Sequence, residues 1–212
     1  MKKKNTKLLI IGCGGHGKVV LDSAISMDCW SEIAFIDDKY PNLKEFNSIK
    51  VLSKIKNIKK FENNWTHIIV AIGNNKLRKK ITNLVGKRKF VLTNVIDSSA
   101  RLSSNIKIGK GNVIFANSII ASGSKIMNNS IINHGAIIDH DCKIGSNTHI
   151  CANVSLSGNI KIGNNVFIGT NSSIINESKI GNNVVIGSCS LVNKSISNSK
   201  VGFGIPFKIS KK

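Results

Sequence analysis

The chain has 212 residues, 41% of them hydrophobic and 20% charged, a balance that excludes wholesale disorder and suits one large or two small domains. The formal net charge of +20 points toward nucleic acid, but 28 of the 31 basic residues are Lys and only 5% of residues are aromatic, so the bidentate arginines and stacking rings of a nucleic-acid binder are scarce. No run of 18 apolar residues excludes a membrane-spanning helix, and five scattered cysteines without a CxxC pair argue for a reducing, cytoplasmic compartment and against a metal framework.

Met1-Lys2-Lys3-Lys4 ahead of Leu8-Leu9-Ile10-Ile11 has the outline of a secretory signal, but the apolar run stops after four residues at Gly12, too short for a signal core. Residues 7–11 therefore read as a buried strand. Gly12-Cys13-Gly14-Gly15-His16-Gly17 follows as a turn, and a helix is expected from Lys18 to about Met27. A second strand, Ile33 to Ile36, ends in Asp37-Asp38. A third, His67 to Ile72, ends in Gly73-Asn74-Asn75 before a helix from about Lys76. Strand, Gly-rich turn, helix, strand is a βαβ unit, which builds a parallel sheet with ligands at its carboxyl edge. Backbone N–H groups from Gly14 to Gly17 suit a phosphate, and Asp37 or Asp38 stands where an acidic residue meets a ribose or base. Taken alone the turn is compatible with a dinucleotide, with a nucleotide-sugar, or with no ligand at all. About 95 residues are too few for a complete dinucleotide fold.

Near residue 98 the pattern changes. From Leu102 to Val192 every sixth residue is aliphatic, sixteen of sixteen without a slip. Two residues earlier the side chain is small or β-branched, as at Ser118, Ser124, Ser130, Ala136, Cys142, Thr148 and Val154. A period of six fits the hexapeptide repeat of a parallel β-helix, each short strand turning one large and one small side chain inward. Lys107, Lys125, Lys143, Lys161 and Lys179 recur every 18 residues, with Gly and Asn following most of them, so the same corner returns after three hexapeptides. That spacing predicts three strands per coil, a triangular prism of a little over five coils, and one exposed column of lysines.

These features together, Gly12 to Gly17, Phe35-Ile36-Asp37-Asp38, Ala71-Ile72-Gly73-Asn74-Asn75-Lys76-Leu77-Arg78, a hexapeptide β-helix, Ile138-Asp139-His140-Asp141-Cys142 and Gly204-Ile205-Pro206, resemble the sugar O-acyltransferase family, which includes sialic acid O-acetyltransferases and nucleotide-sugar N-acetyltransferases. The resemblance spans nearly the whole chain. It implies a small Rossmann-like domain over residues 1–97, a left-handed parallel β-helix over 98–196, and a C-terminal tail over 197–212. It implies an acetyl-CoA-dependent acetyltransferase working as a homotrimer, with acetyl-CoA between neighbouring β-helices and no metal. His140 falls on the catalytic base and Asp141 where a relative carries a glutamate that raises that base's strength. Gly14, Gly15, His16, Asp37, Asp38 and Gly73 fall on nucleotide-sugar positions. His149, Gly158, Thr170 and Ser188 fall on acetyl-CoA positions. The N-terminal match favours the C4 amino group of a nucleotide-linked amino sugar as acceptor, the alternative being a hydroxyl of sialic acid or a related nonulosonate.

The residues support that chemistry on their own terms. Acetyl transfer from a thioester to an amine needs a base for the amine's proton, and a histidine suits neutral pH. His140 is expected at an outward corner of the prism, with Gly158 stacked beside it and leaving room for a thioester. His149 lies half a coil further on and should face elsewhere, so a site using both would combine two chains. Cys142 is expected inward, as core. His134 reads as structural, and a metal site made of His134, His140 and His149 is disfavoured because their spacings spread them over different faces.

Overall fold

The computed structural model describes residues 6–210, so the basic start, Met1 to Lys4, lies outside the described residues. The described residues form two compact units, divided between Ser98 and Ser99.

The first unit is built on a parallel sheet. Its strands are β1 (Lys7–Ile11), β2 (Glu32–Ile36), β5 (His67–Val70) and β6 (Val91–Leu92), in the order β2-β1-β5-β6. A small antiparallel hairpin, β3 (Glu45–Phe46) and β4 (Ile49–Lys50), follows β2. Central β1 is covered on both faces, which is why Leu8 to Ile11 form an uninterrupted apolar run with no exposed surface. Helix α1 (Gly15–Ser26) packs on β1, and α2 (Asn75–Val85) packs on β5. Helix α1 begins three residues before the expected Lys18, so the glycine turn supplies the helix's own first turn. Gly17 explains this: a β-carbon there would overlap the Gly12 carbonyl oxygen, so only glycine lets the helix start this close to β1. Gly12 itself has φ +112°, in the left-handed region that favours glycine. The segments after β1, β2 and β5 all leave the sheet at its carboxyl edge.

The second unit is a parallel β-solenoid of about six turns. Each two-residue strand pairs with its counterpart one coil further on, as in Lys125↔Lys143, Ile137↔Ser155 and His149↔Phe167, which gives three sheets and the triangular coil read from the repeat. From Ile114 to Val192 every residue of the six-residue aliphatic series is buried, and the small or β-branched residues two places earlier are buried with them. The buried hydroxyls are satisfied along the axis: Ser130, Thr148 and Ser172 each donate to a carbonyl most of a coil ahead and accept an N–H from the next coil. The corners are more regular than the sequence suggested. At every sixth residue from Gly111 to Cys189 the backbone takes positive φ, carried by three Gly, eight Asn, Asp141, Glu177 and Cys189. Asn reaches this region at low cost because its short side chain bonds locally.

The C-terminal stretch is not a separate tail. Val201–Phe203 pairs in parallel with Val185–Ile186, and Lys208–Ile209 then pairs antiparallel with it and ends the parallel ladder. The last coil is shortened, since Ile196 rather than Asn198 pairs with Ile180, and Val201 rather than Phe203 pairs with Val185. The period of six fails after Val192 for this reason, and Phe207 is buried beyond it.

Candidate active site

At the carboxyl edge of the first unit's sheet, Gly12 to His16, Asp37, Asp38, Lys39, Ile55, Ala71, Ile72, Gly73 and Leu77 line one cleft of about 400 Å³. All six residues that the resemblance assigns to the nucleotide-sugar, Gly14, Gly15, His16, Asp37, Asp38 and Gly73, lie on it. The Asp37 carboxylate is partly committed to the chain. Its Oδ2 accepts the Cys13 N–H at 2.7 Å and its Oδ1 the Lys39 N–H at 2.8 Å, so it ties the end of β2 to the glycine turn. Asp38 Oδ1 accepts the Ile55 N–H at 2.9 Å. Helix α1 has no acidic residue in its first turn and no side-chain cap at Gly14, which leaves its N-terminal partial charge facing the cleft. Burial, then the Asp37 charge, pushes the Cys13 thiol up to about 12, so it supplies no nucleophile.

Sequence reading assigned no role to Arg78. Its side chain is fully buried behind the Gly73 loop and donates to the carbonyls of Ile72 at 3.0 Å and Gly73 at 2.9 Å, and to Asn75 Oδ1 at 2.6 Å. Nothing in local periodicity marks an arginine on α2 as the anchor of the preceding turn.

In the second unit, His140 stands at the exposed corner after Ile137–Ile138, as expected. Its Nδ1 lies 3.0 Å from Asp141 Oδ2, and its backbone N–H donates to Asp139 Oδ1 at 2.7 Å. With Nδ1 carrying the proton toward the Asp141 carboxylate, the Nε2 lone pair is left free to accept one. The hydrogen bond that the imidazole donates to Asp141, with the Asp139 charge behind it, raises the imidazole pKa above its ordinary value. Asp141 occupies one of the left-handed corners, φ +58°, and from there its short arm reaches the imidazole. Gly158 lies against His140, and a β-carbon there would overlap the imidazole, so the missing side chain makes room for the ring.

His149 is not brought to His140. It lies on another face, where its Nε2 is 3.3 Å from Asn133 Nδ2 and its ring meets Phe167 edge-on at 5.4 Å. Thr170 and Ser188 follow strands of that same face and stack on the corner after it. One chain thus carries two groups: His140, Asp141 and Gly158 at one corner, and His149, Thr170 and Ser188 around the corner before it. Cys142 is buried core, with its thiol donating to the Ser157 carbonyl and its pKa raised by burial. His134 stacks on Phe115 at 4.8 Å. Among the described residues no group of three His, Cys, Asp or Glu side chains is arranged to hold a metal ion.

Residues 7–85 match the PglD N-terminal domain, and residues 123–158 and 159–194 each match the bacterial transferase hexapeptide of six repeats. The acetyltransferase domain of PglB from Neisseria gonorrhoeae, solved with acetyl coenzyme A, is 32% identical with a TM-score of 0.94, the alignment covering 98% of this chain and 100% of that one. The chain belongs to the hexapeptide-repeat acyltransferases with a PglD-type N-terminal domain. PerB from Caulobacter crescentus, solved with CoA and GDP-perosamine, is 30% identical with a TM-score of 0.92 over 97% of both chains. WeeI from Acinetobacter baumannii is 26% identical with a TM-score of 0.87, covering 97% of this chain and 100% of that one. Membership in this acyltransferase family makes the solenoid a left-handed β-helix, the hand that parallel crossovers otherwise avoid.

Proposed function

We propose that this chain is an acetyl-CoA-dependent N-acetyltransferase acting on the C4 amino group of a nucleotide-linked amino sugar, an enzyme like UDP-N-acetylbacillosamine N-acetyltransferase. The observation that carries the reading is the exposed His140 imidazole, aligned by the Asp141 carboxylate on a hexapeptide solenoid. It is supported by two relatives, one solved with acetyl-CoA and one with CoA and a nucleotide amino sugar.

In this mechanism the sugar amine attacks the thioester carbonyl carbon while His140 Nε2 takes the amine's proton. The tetrahedral intermediate collapses, the carbon–sulfur bond breaks, and the CoA thiolate leaves with a proton returned from the imidazole. In this reading transfer is direct: the thiol lining the first unit's cleft, Cys13, and the one beside the His140 corner, Cys142, are buried with raised pKa, which suits neither to carry an acyl group. The cleft of the first unit holds the nucleotide-sugar, its phosphates against the N-terminus of α1. His149, Thr170 and Ser188 contact acetyl-CoA across a subunit boundary, and the family resemblance makes the working form a homotrimer whose site combines His140 of one chain with His149 of the next. The net charge of +20 steers both anionic substrates toward it. Free thiols and no helix long enough to cross a membrane among the described residues suit a cytoplasmic enzyme.

The test is release of the CoA thiol from acetyl-CoA against UDP-, TDP- and GDP-linked amino sugars and free sialic acid. Release with an amino sugar, lost by about 10²–10⁴-fold in His140→Ala, is expected. Release with sialic acid alone would move the acceptor from nitrogen to oxygen. A fully active monomer by sedimentation would refute the shared site.

A further inference from the structure

We propose that Gly123 and Gly158 are positioning residues that hold the His140–Asp141 pair between two neighbouring coils. The catalytic consequence rests on His140 being the base; the geometry does not.

Gly123 occupies the place of Asp141 in the preceding coil. A β-carbon at Gly123 would overlap Asp141 Oδ1, so that oxygen occupies the space a side chain at 123 would fill. The other oxygen, Oδ2, is the one bonded to His140. Gly158 occupies the place of His140 in the following coil, on the opposite side of the pair. A β-carbon there would overlap Nε2 and crowd the rest of the imidazole. The backbone rungs keep all four residues in this register: Asp141 N–H donates to the Ser122 carbonyl at 3.0 Å, and Asn159 N–H to the His140 carbonyl at 2.8 Å.

Other corners show what happens when the neighbour has a side chain. Asn129 donates to Asn147 at 2.6 Å and Asn165 to Asn183 at 2.8 Å, each pair stacked along the axis at left-handed corners. With a glycine before it, Asp141 has no such partner and its carboxylate is free to turn toward the ring. The acidic residue, the imidazole and the two empty places therefore form one unit.

The solenoid also supplies its own control. Gly135 has φ +62°, close to the +75° of Gly123, and a β-carbon there would overlap Asn153 Oδ1. Gly135→Ala thus carries the same backbone strain and the same kind of collision, at a corner without the pair.

The experiment follows the imidazole nitrogen shifts of His140 against pH in the 15N-histidine-labelled full chain, assigned with His140→Ala. Gly123→Ala is expected to lower the His140 pKa by the same amount as Asp141→Asn. In the Asp141→Asn background it should add nothing, while Gly135→Ala leaves the His140 titration in place. Should Gly123→Ala fold poorly, Gly123→Asn places the residue of eight other corners at that φ and carries the same expectation. Gly158→Ala has no left-handed backbone to strain and should cut kcat about 10²-fold by displacing the ring, with KM for acetyl-CoA unchanged. The proposal falls if Gly123→Ala leaves the titration at its wild-type position, or shifts it equally without Asp141. It also falls if Gly158→Ala raises the acetyl-CoA KM while kcat holds. A chain that transfers no acetyl group at all would sink the enzymatic reading, and the titrations would still decide the positioning.

Discussion

Replacing Arg78 by Met tests how the nucleotide-sugar cleft is kept in shape. The guanidinium is 1% exposed, and burial pushes its pKa down to about 10, equivalent to ~3 kcal/mol against the charged form. Against that cost stand its bonds to the Ile72 and Gly73 carbonyls and to Asn75 Oδ1. Hydrogen bonds from a charged donor contribute about 1.5–3 kcal/mol each, roughly 4–9 together. Arg78→Met removes both terms and leaves the two carbonyls without this donor, so the bonds prevail and the unit loses ~1–6 kcal/mol. Urea unfolding followed by tryptophan fluorescence reads the effect in the right place, because Trp30 and Trp65 are the only tryptophans and both lie in residues 1–98. The loosened Gly73 loop should raise KM for the nucleotide-sugar more than it lowers kcat. A fluorescence midpoint within about 0.5 kcal/mol of wild type would refute the reasoning, since burial of the charge would then cancel its bonds.

In Asp141→Asn the imidazole pKa falls, because the hydrogen bond that raises it is the largest cause of its shift. The acid limb of the kcat–pH profile should therefore move to lower pH, while the plateau drops about 10-fold or more as the base weakens and loses its alignment. An unmoved limb would detach Asp141 from the base. Thr148→Val removes a buried hydroxyl that donates to the Gly163 carbonyl at 3.0 Å and accepts the Val166 N–H at 3.2 Å. The Gly163 carbonyl and the Val166 N–H lose this hydroxyl, at roughly 1–3 kcal/mol each, and far-UV circular dichroism should show earlier melting with tryptophan emission unaffected.

The solenoid was legible because its rule is local. One large and one small inward residue per six, with Asn or Gly at the turn, repeats until the shortened coil after Val192, where the period alone could no longer place Ile196 and Val201. Helix α1 was placed three residues late because glycine is a poor helix former in isolation. Its start is decided by how closely Gly17 approaches Gly12, a contact between elements. His140 and Asp141 were found as neighbours in sequence. Gly123 could have been found by stepping back one coil from Asp141, whereas Arg78 had no such signal.

The amino acids by themselves determined the coil, its triangular section and the outward corner on which the imidazole stands, since a six-residue period admits one way of burying its isoleucines. The folded molecule alone decided how closely the His140 ring lies against Gly158, and that a buried arginine braces the Gly73 loop. Both depend on the distance between chain segments brought side by side, and a linear pattern carries order without carrying distance.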